Sequence, residues 1–175
     1  MDLLSIFQAY PVAPVVIVIV IGLLVGSLLN VVIYRLPVMM EREWRSECKL
    51  ILDPDSPGEE LAEPFNLAFP HSHCPSCDAP IRAWQNIPVI SYVLLRGQCA
   101  NCKVSISARY PIIEAVTALM SAVIAWQLGA SLEMLAALFF TWSLIALTMI
   151  DADHKLLPDQ ITLPLLWAGL LLNSF

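Results

Sequence analysis

Residues 149–160 read MIDADHKLLPDQ and set Asp151, Asp153, His154 and Asp159 directly behind residues 131–150, a run whose only charge is Glu133. Asp151 leaves the apolar run first, so it lies nearest whatever boundary that run makes with water. A carboxylic acid that keeps its proton beside a carboxylate that has lost one can activate water and protonate a leaving group, which is aspartyl-protease chemistry. Asp153 is a poor second member of such a pair. Two residues along a continuing helix place it roughly opposite Asp151, and Pro158 soon interrupts the backbone, so the partner of Asp151 is expected from elsewhere. The competing reading is that the three aspartates cap helix ends and solvate a loop.

A second chemical signal lies upstream. Cys74, Cys77, Cys99 and Cys102 form two C-x-x-C pairs with 21 residues between them. Each pair can turn two thiolates toward one ion, and two pairs close a tetrahedral shell with no open position, as structural zinc requires. Iron in the same geometry is a competitor, and disulfides are disfavoured in a reducing compartment. Cys48 has no partner motif and reads as a free thiol. His71 and His73 flank the first pair, but four cysteines already suffice, so both histidines are expected in solvent.

The elements that position these groups belong to a membrane protein. The chain is 58% hydrophobic and 14% charged, far from the balance of a soluble domain. A first apolar run fills 12–34 without a charge, a second fills 112–128 with Glu114 near its start, and a third fills 131–150. Each approaches or reaches the roughly 20 residues of a span. The first is longer than a secretory signal core and lacks a basic start, so an uncleaved helix is expected. A fourth run, 161–175, stops about a turn short of a span, and a C-terminally truncated chain is expected. Eight of the nine Lys and Arg fall between Arg35 and Arg109, and the ninth is Lys155. The rule that cations stay inside therefore predicts that the loop 35–111 and the aspartate loop 151–160 are both cytoplasmic. The net charge of −6 offers no cationic surface for phosphates, so no nucleic-acid partner is expected. No G-x-G-x-x-G cradle occurs either.

Within the loop, the first part predicts a short amphipathic helix followed by an irregular, flexible Pro-, Asp- and Glu-rich segment. IPVISYVLL, between the cysteine pairs, predicts a strand packed on the metal site. Gly22 and Gly26, four apart, predict a close helix crossing rather than a ligand site. Glu114 sits just inside the second run on the cytoplasmic side, where a carboxylate can reach water, although an acid there is also a default candidate for function, and Arg109, five residues earlier, could pair with it.

Four stretches together, GLLVGSLLNVVIYRLP at 22–37, the two cysteine pairs, RYPIIEAVTA at 109–118 and IDADHKLLPDQIT at 150–162, resemble the type IV prepilin leader peptidases over nearly the whole chain. The resemblance implies a bacterial inner-membrane enzyme that cleaves the leader of prepilins and pilin-like secretion proteins, then methylates the new amino terminus with S-adenosylmethionine. It makes Asp151 the first catalytic aspartate of an intramembrane aspartyl type and puts the second in a later Gly-x-Gly-Asp motif, which this sequence does not contain. It matches the family's four cysteines to Cys74, Cys77, Cys99 and Cys102, and places the methyl-transfer site only broadly, around 22–37 and the loop. The expected fold is an all-α polytopic membrane protein with a small zinc-binding cytoplasmic insertion, metal site 74–102, between helices one and two. Two other functions fit parts of the pattern: a non-enzymatic membrane-anchored zinc adaptor of a pilus or secretion assembly, and a transporter fragment in which Asp151 relays protons. The adaptor needs no acid at the boundary, and the transporter would show repeated broken helices.

Overall fold

A computed structural model of the chain describes residues 12–53 and 65–174. Most of the acidic segment expected to be flexible lies outside them, as does the opening of the chain on which the uncleaved start was argued. Among the described residues five α-helices carry the fold: α1 (Val12–Leu52), α2 (Ile90–Leu94), α3 (Arg109–Leu128), α4 (Leu132–His154) and α5 (Asp159–Asn173). Three of them, α1, α3 and α4, are long and apolar enough to cross a membrane. Their surfaces fit a lipid solvent, with Val20, Leu24, Leu28, Leu119, Val123, Leu135 and Phe139 all exposed. In water such a surface would be unstable, whereas lipid tails demand it.

The first helix does not stop near Tyr34. It runs on through Pro37 to Leu52, 41 residues in all, absorbing the amphipathic helix expected as a separate piece. At about 1.5 Å per residue it is roughly 60 Å long, twice a hydrocarbon core, so its charged second half projects beyond the apolar slab. Proline inside a helix costs one backbone hydrogen bond and crowds the preceding turn. Here Arg35, Leu36, Pro37 and Met40 are all buried, and packing carries the helix past the defect. The projecting half is supported by an i,i+4 ion pair, Arg45 to Glu41 at 2.6 Å.

The tightest crossing is between α1 and α3. A β-carbon on Gly26 would lie 2.7 Å from the Cα of Glu114, and one on Gly22 would lie 2.9 Å from the Cα of Ala118. Nothing larger than hydrogen fits, so both glycines serve the close approach of two backbones. Polar groups tie the same region together. Ser121 Oγ donates to the Thr117 carbonyl at 2.6 Å and accepts from the Trp142 indole N–H at 2.9 Å, which brings α4 into the bundle. Below this lies an apolar core of Leu29, Ile33, Leu36 and Met40 from α1, Ile113 from α3, and Ala146 and Ile150 from α4.

The hairpin between α3 and α4 is short. Gly129 takes a positive φ of 62°, and Ser131 caps α4 by accepting the Met134 N–H at 3.1 Å.

No strand occurs among the described residues. The stretch IPVISYVLL, expected as one, is a turn followed by the short helix α2. Its β-branched residues fit a pleated surface only where a partner strand exists, and the metal module offers only isolated bridges, His73 with Pro80 and Gln98 with Ser105. A helical turn satisfies the backbone locally instead, with Leu95 N–H on Ser91 O at 2.9 Å and Gly97 N–H on Tyr92 O at 2.9 Å.

Candidate metal centre and active site

The two cysteine pairs fold alike. In the first, Cys74 N–H donates to Ala79 O at 3.0 Å, Asp78 N–H donates back to Cys74 O at 2.9 Å, and Asp78 has φ 54°. In the second, Cys99 N–H donates to Val104 O at 2.8 Å, Lys103 N–H donates to Cys99 O at 3.1 Å, and Lys103 has φ 60°. Each knuckle therefore turns through a left-handed residue just after its second cysteine. All four sulfurs lie within 4.8 Å of one another, with Cys74 Sγ and Cys102 Sγ 3.7 Å apart. Four thiolates at a Zn–S distance of about 2.3 Å have tetrahedral edges of about 3.8 Å, so the donor set fits a single closed site.

Backbone groups prepare the thiols. The N–H groups of Cys102 and Asn101 hold Cys99 down to about 6. The Ala79 N–H, with help from the Asn101 side chain, lowers Cys77. Cys102 also receives a backbone hydrogen bond, from Val104, yet burial and the neighbouring thiols of Cys77, Cys99 and Cys74 push it up to about 11. An ion held by all four sulfurs would have to displace the proton of Cys102. The histidines stay outside this cluster. Both are exposed, with His73 Nε2 3.7 Å from Asp78. Cys48 is a free, exposed thiol on α1.

Two polar contacts fix the module to the helices. Buried Arg35 of α1 donates to Asn66 O at 2.8 Å and to Pro70 O at 2.6 Å, clasping the strand of chain that leads into the first knuckle. Glu114 of α3, 8% exposed, accepts the Val89 N–H at 2.7 Å, just ahead of α2. Arg109 is therefore not the partner of Glu114, contrary to the expectation from their spacing. Five positions apart on a helix they point in different directions, and a nearer acid claims the cation.

That acid is Asp153. Arg109 Nη1 donates to Asp153 Oδ1 at 2.9 Å and Nη2 donates to Oδ2, a bidentate pair that locks the start of α3 to the end of α4. The aspartate loop is shorter than its expected 151–160, because α4 continues through His154 and ends at Lys155, whose φ is 54° and whose N–H closes on Asp151 O at 2.9 Å. Ile150 is 0% exposed, while Asp151 beside it is exposed. Asp151 has no side-chain hydrogen bond or ion pair among the described residues. Asp159 lies in the first turn of α5, with Thr162 Oγ1 3.5 Å from its Oδ1. The fold thus gives Asp153, Asp159 and Glu114 protein partners and leaves Asp151 open. The Arg109–Asp153 pair had no signal in the sequence, since 44 residues separate the two and neither sits in a motif that names the other.

Residues 20–128 match the family model described as the bacterial peptidase A24 N-terminal domain, and residues 138–175 match the type IV leader peptidase family. The chain belongs to the type IV leader peptidases. Three similar proteins carry the name prepilin leader peptidase/N-methyltransferase. The one from Stutzerimonas stutzeri is 54% identical over 94% of this chain and 56% of its own length. That from Pseudomonas aeruginosa is 49% identical over 100% and 60%, and that from Neisseria gonorrhoeae is 55% identical over 88% and 54%. The chain therefore spans a little over half the length of these leader peptidases. No solved structure matches it.

Proposed function

We propose that the protein cleaves the leader peptide of prepilins and pilin-like secretion proteins and N-methylates the new amino terminus, with Asp151 as one of two catalytic carboxylates. The observation that carries this reading is the open Asp151 carboxylate at the end of an apolar helix, in a chain of the leader peptidase family. In the proposed chemistry one carboxylate takes a proton from the attacking water while a protonated partner donates to the scissile carbonyl oxygen. Asp153, Glu114 and Asp159 each have a protein partner, and the resemblance to the family puts the second carboxylate in a Gly-x-Gly-Asp motif, which these 175 residues do not contain. Asp153 and Asp159 position the end of α4 and the start of α5.

Cys74, Cys77, Cys99 and Cys102 hold a zinc ion whose role is to staple the insertion; a closed thiolate site offers no position for water or substrate. The methyl donor is S-adenosylmethionine, as the N-methyltransferase part of the relatives' name implies. The protein lies in the bacterial inner membrane with the metal module and Asp151 on the cytoplasmic side, which the distribution of Lys and Arg supports.

The test joins this chain to the remaining segment of the Pseudomonas aeruginosa relative and supplies a prepilin in membranes. Mass spectrometry is expected to show loss of the leader and gain of one methyl on the new terminus. A prepilin left intact by a correctly inserted, metal-loaded chimera would overturn the proposal.

A further inference from the structure

The outer surface of α2 has no use in the site described above. Ile90, Val93 and Leu94 are 54%, 66% and 71% exposed, and Ile87, in the turn that leads into the helix, is also exposed. At spacings of three and four, Ile90, Val93 and Leu94 form one apolar face of the five-residue helix. The opposite face is committed to the metal module. The Tyr92 ring lies over Gly97, where a β-carbon would meet its Cζ at 2.9 Å, and Tyr92 Oη reaches Ile106 O at 3.4 Å. The apolar face is therefore held outward by packing behind it.

Its depth is fixed as well. The Val89 N–H, immediately before α2, is bound by the Glu114 carboxylate at 2.7 Å, and Glu114 belongs to the second turn of α3. That turn is where α3 enters its apolar stretch, with Ile112, Val116 and Leu119 exposed along it. A helix tied to this point shares the level at which α3 meets the bilayer surface. Arg96, exposed two residues beyond α2 at φ 52°, is placed to keep its charge among headgroups.

We infer that α2 is an interfacial helix: Ile87, Ile90, Val93 and Leu94 insert into the lipid–water boundary and seat the metal module on the membrane beside α3. The occupant of this face is lipid. The Glu114–Val89 bond ties the head of α2 to the turn at which α3 enters its apolar stretch, which is the premise the inference rests on, and helices with one apolar face and cations beside it lie at that boundary. Seating the module in this way holds α1, α3 and the metal site in one orientation relative to the membrane plane.

The experiment places a benzophenone amino acid at Val93 in the purified, metal-loaded chain, in nanodiscs of phosphatidylethanolamine and phosphatidylglycerol. Irradiation is followed by intact-mass measurement. Leu119 is the lipid-facing reference and Ser72, exposed elsewhere on the module, is the aqueous one. Lipid adducts at Val93 are expected within about threefold of Leu119 and roughly tenfold above Ser72. The same label at Leu94 is expected to behave alike, which separates the result from a local disturbance at one position. Lipid adducts at Leu119 with only the Ser72 level at Val93 and Leu94 would overturn the inference. Adducts at Val93 to a second protein copy would overturn it in favour of self-association. Absence of lipid adducts at Leu119 would overturn the spanning role of α3 and this inference with it.

Discussion

Gly26→Ala tests the helix crossing on which the rest of the bundle depends. The added β-carbon would stand 2.7 Å from the Glu114 Cα, well short of the 3.4 Å at which ordinary contact begins, and 3.2 Å from Thr117 Cβ. The obstacle is backbone, so no rotamer change relieves it, and α1 and α3 must separate. Separation also stretches the Asn30 Nδ2 to Tyr110 O bond, 3.2 Å as it stands. Overpacking of this kind costs about 1–3 kcal/mol. Gly169 is the internal control, because a β-carbon there meets nothing within 4 Å. Titrating the purified chain with SDS in mixed micelles and following helix content should show Gly26→Ala unfolding earlier than wild type by about that free energy. Gly169→Ala should match wild type or exceed it slightly, since alanine is the better helix former. If the two variants unfolded together, the close-approach reasoning would be wrong.

Metal analysis of the purified chain should find about one zinc per chain, and Cys74→Ser or Cys99→Ser should lose it and open residues 65–108 to protease, since binding and folding of such modules are coupled. Zinc uptake should also depend on pH with a definite sign. Cys99, lowered to about 6, is already a thiolate at neutral pH, whereas Cys102, raised to about 11, must release its proton to bind. Affinity should therefore rise by about tenfold or more per pH unit between about pH 7 and 9; calorimetry in buffers of different ionisation heats would show no proton release if this were mistaken. A double-mutant cycle on Arg109→Ala and Asp153→Ala should give a coupling of about 0.5–1 kcal/mol, as expected for a partly exposed pair; purely additive effects would mean that the pair does not hold the helix ends together.

The parts of this fold legible in the sequence are those where one residue type has few alternative uses. Two C-x-x-C pairs read as one metal cluster because a thiolate shell needs four donors, and the four sulfurs do converge. Long apolar runs read as helices because lipid leaves the backbone no other partner. Gly22 and Gly26 read as a crossing because only a missing side chain lets backbones approach so closely. Local rules failed where tertiary contact decided. The first apolar run ended at Tyr34, whereas burial of Arg35, Leu36, Pro37 and Met40 carries α1 on to Leu52. The β-branched run before Cys99 had no strand to pair with and coiled into α2. Arg109 looked toward Glu114 by spacing along one helix, whereas its partner Asp153 arrives on another, and the Val89 N–H takes its place at Glu114.

The central claim is that Asp151 is a catalytic carboxylate and Asp153 is not. In the chimera that carries the remaining segment of the Pseudomonas aeruginosa relative, Asp151→Asn and Asp153→Asn should both insert and keep zinc. Asparagine preserves the shape of the side chain but cannot exchange a proton in the reaction. Leader cleavage, followed by mass spectrometry of the prepilin, should vanish in Asp151→Asn and persist in Asp153→Asn, while methylation of an already cleaved pilin should survive in both. Normal cleavage by Asp151→Asn would contradict the account.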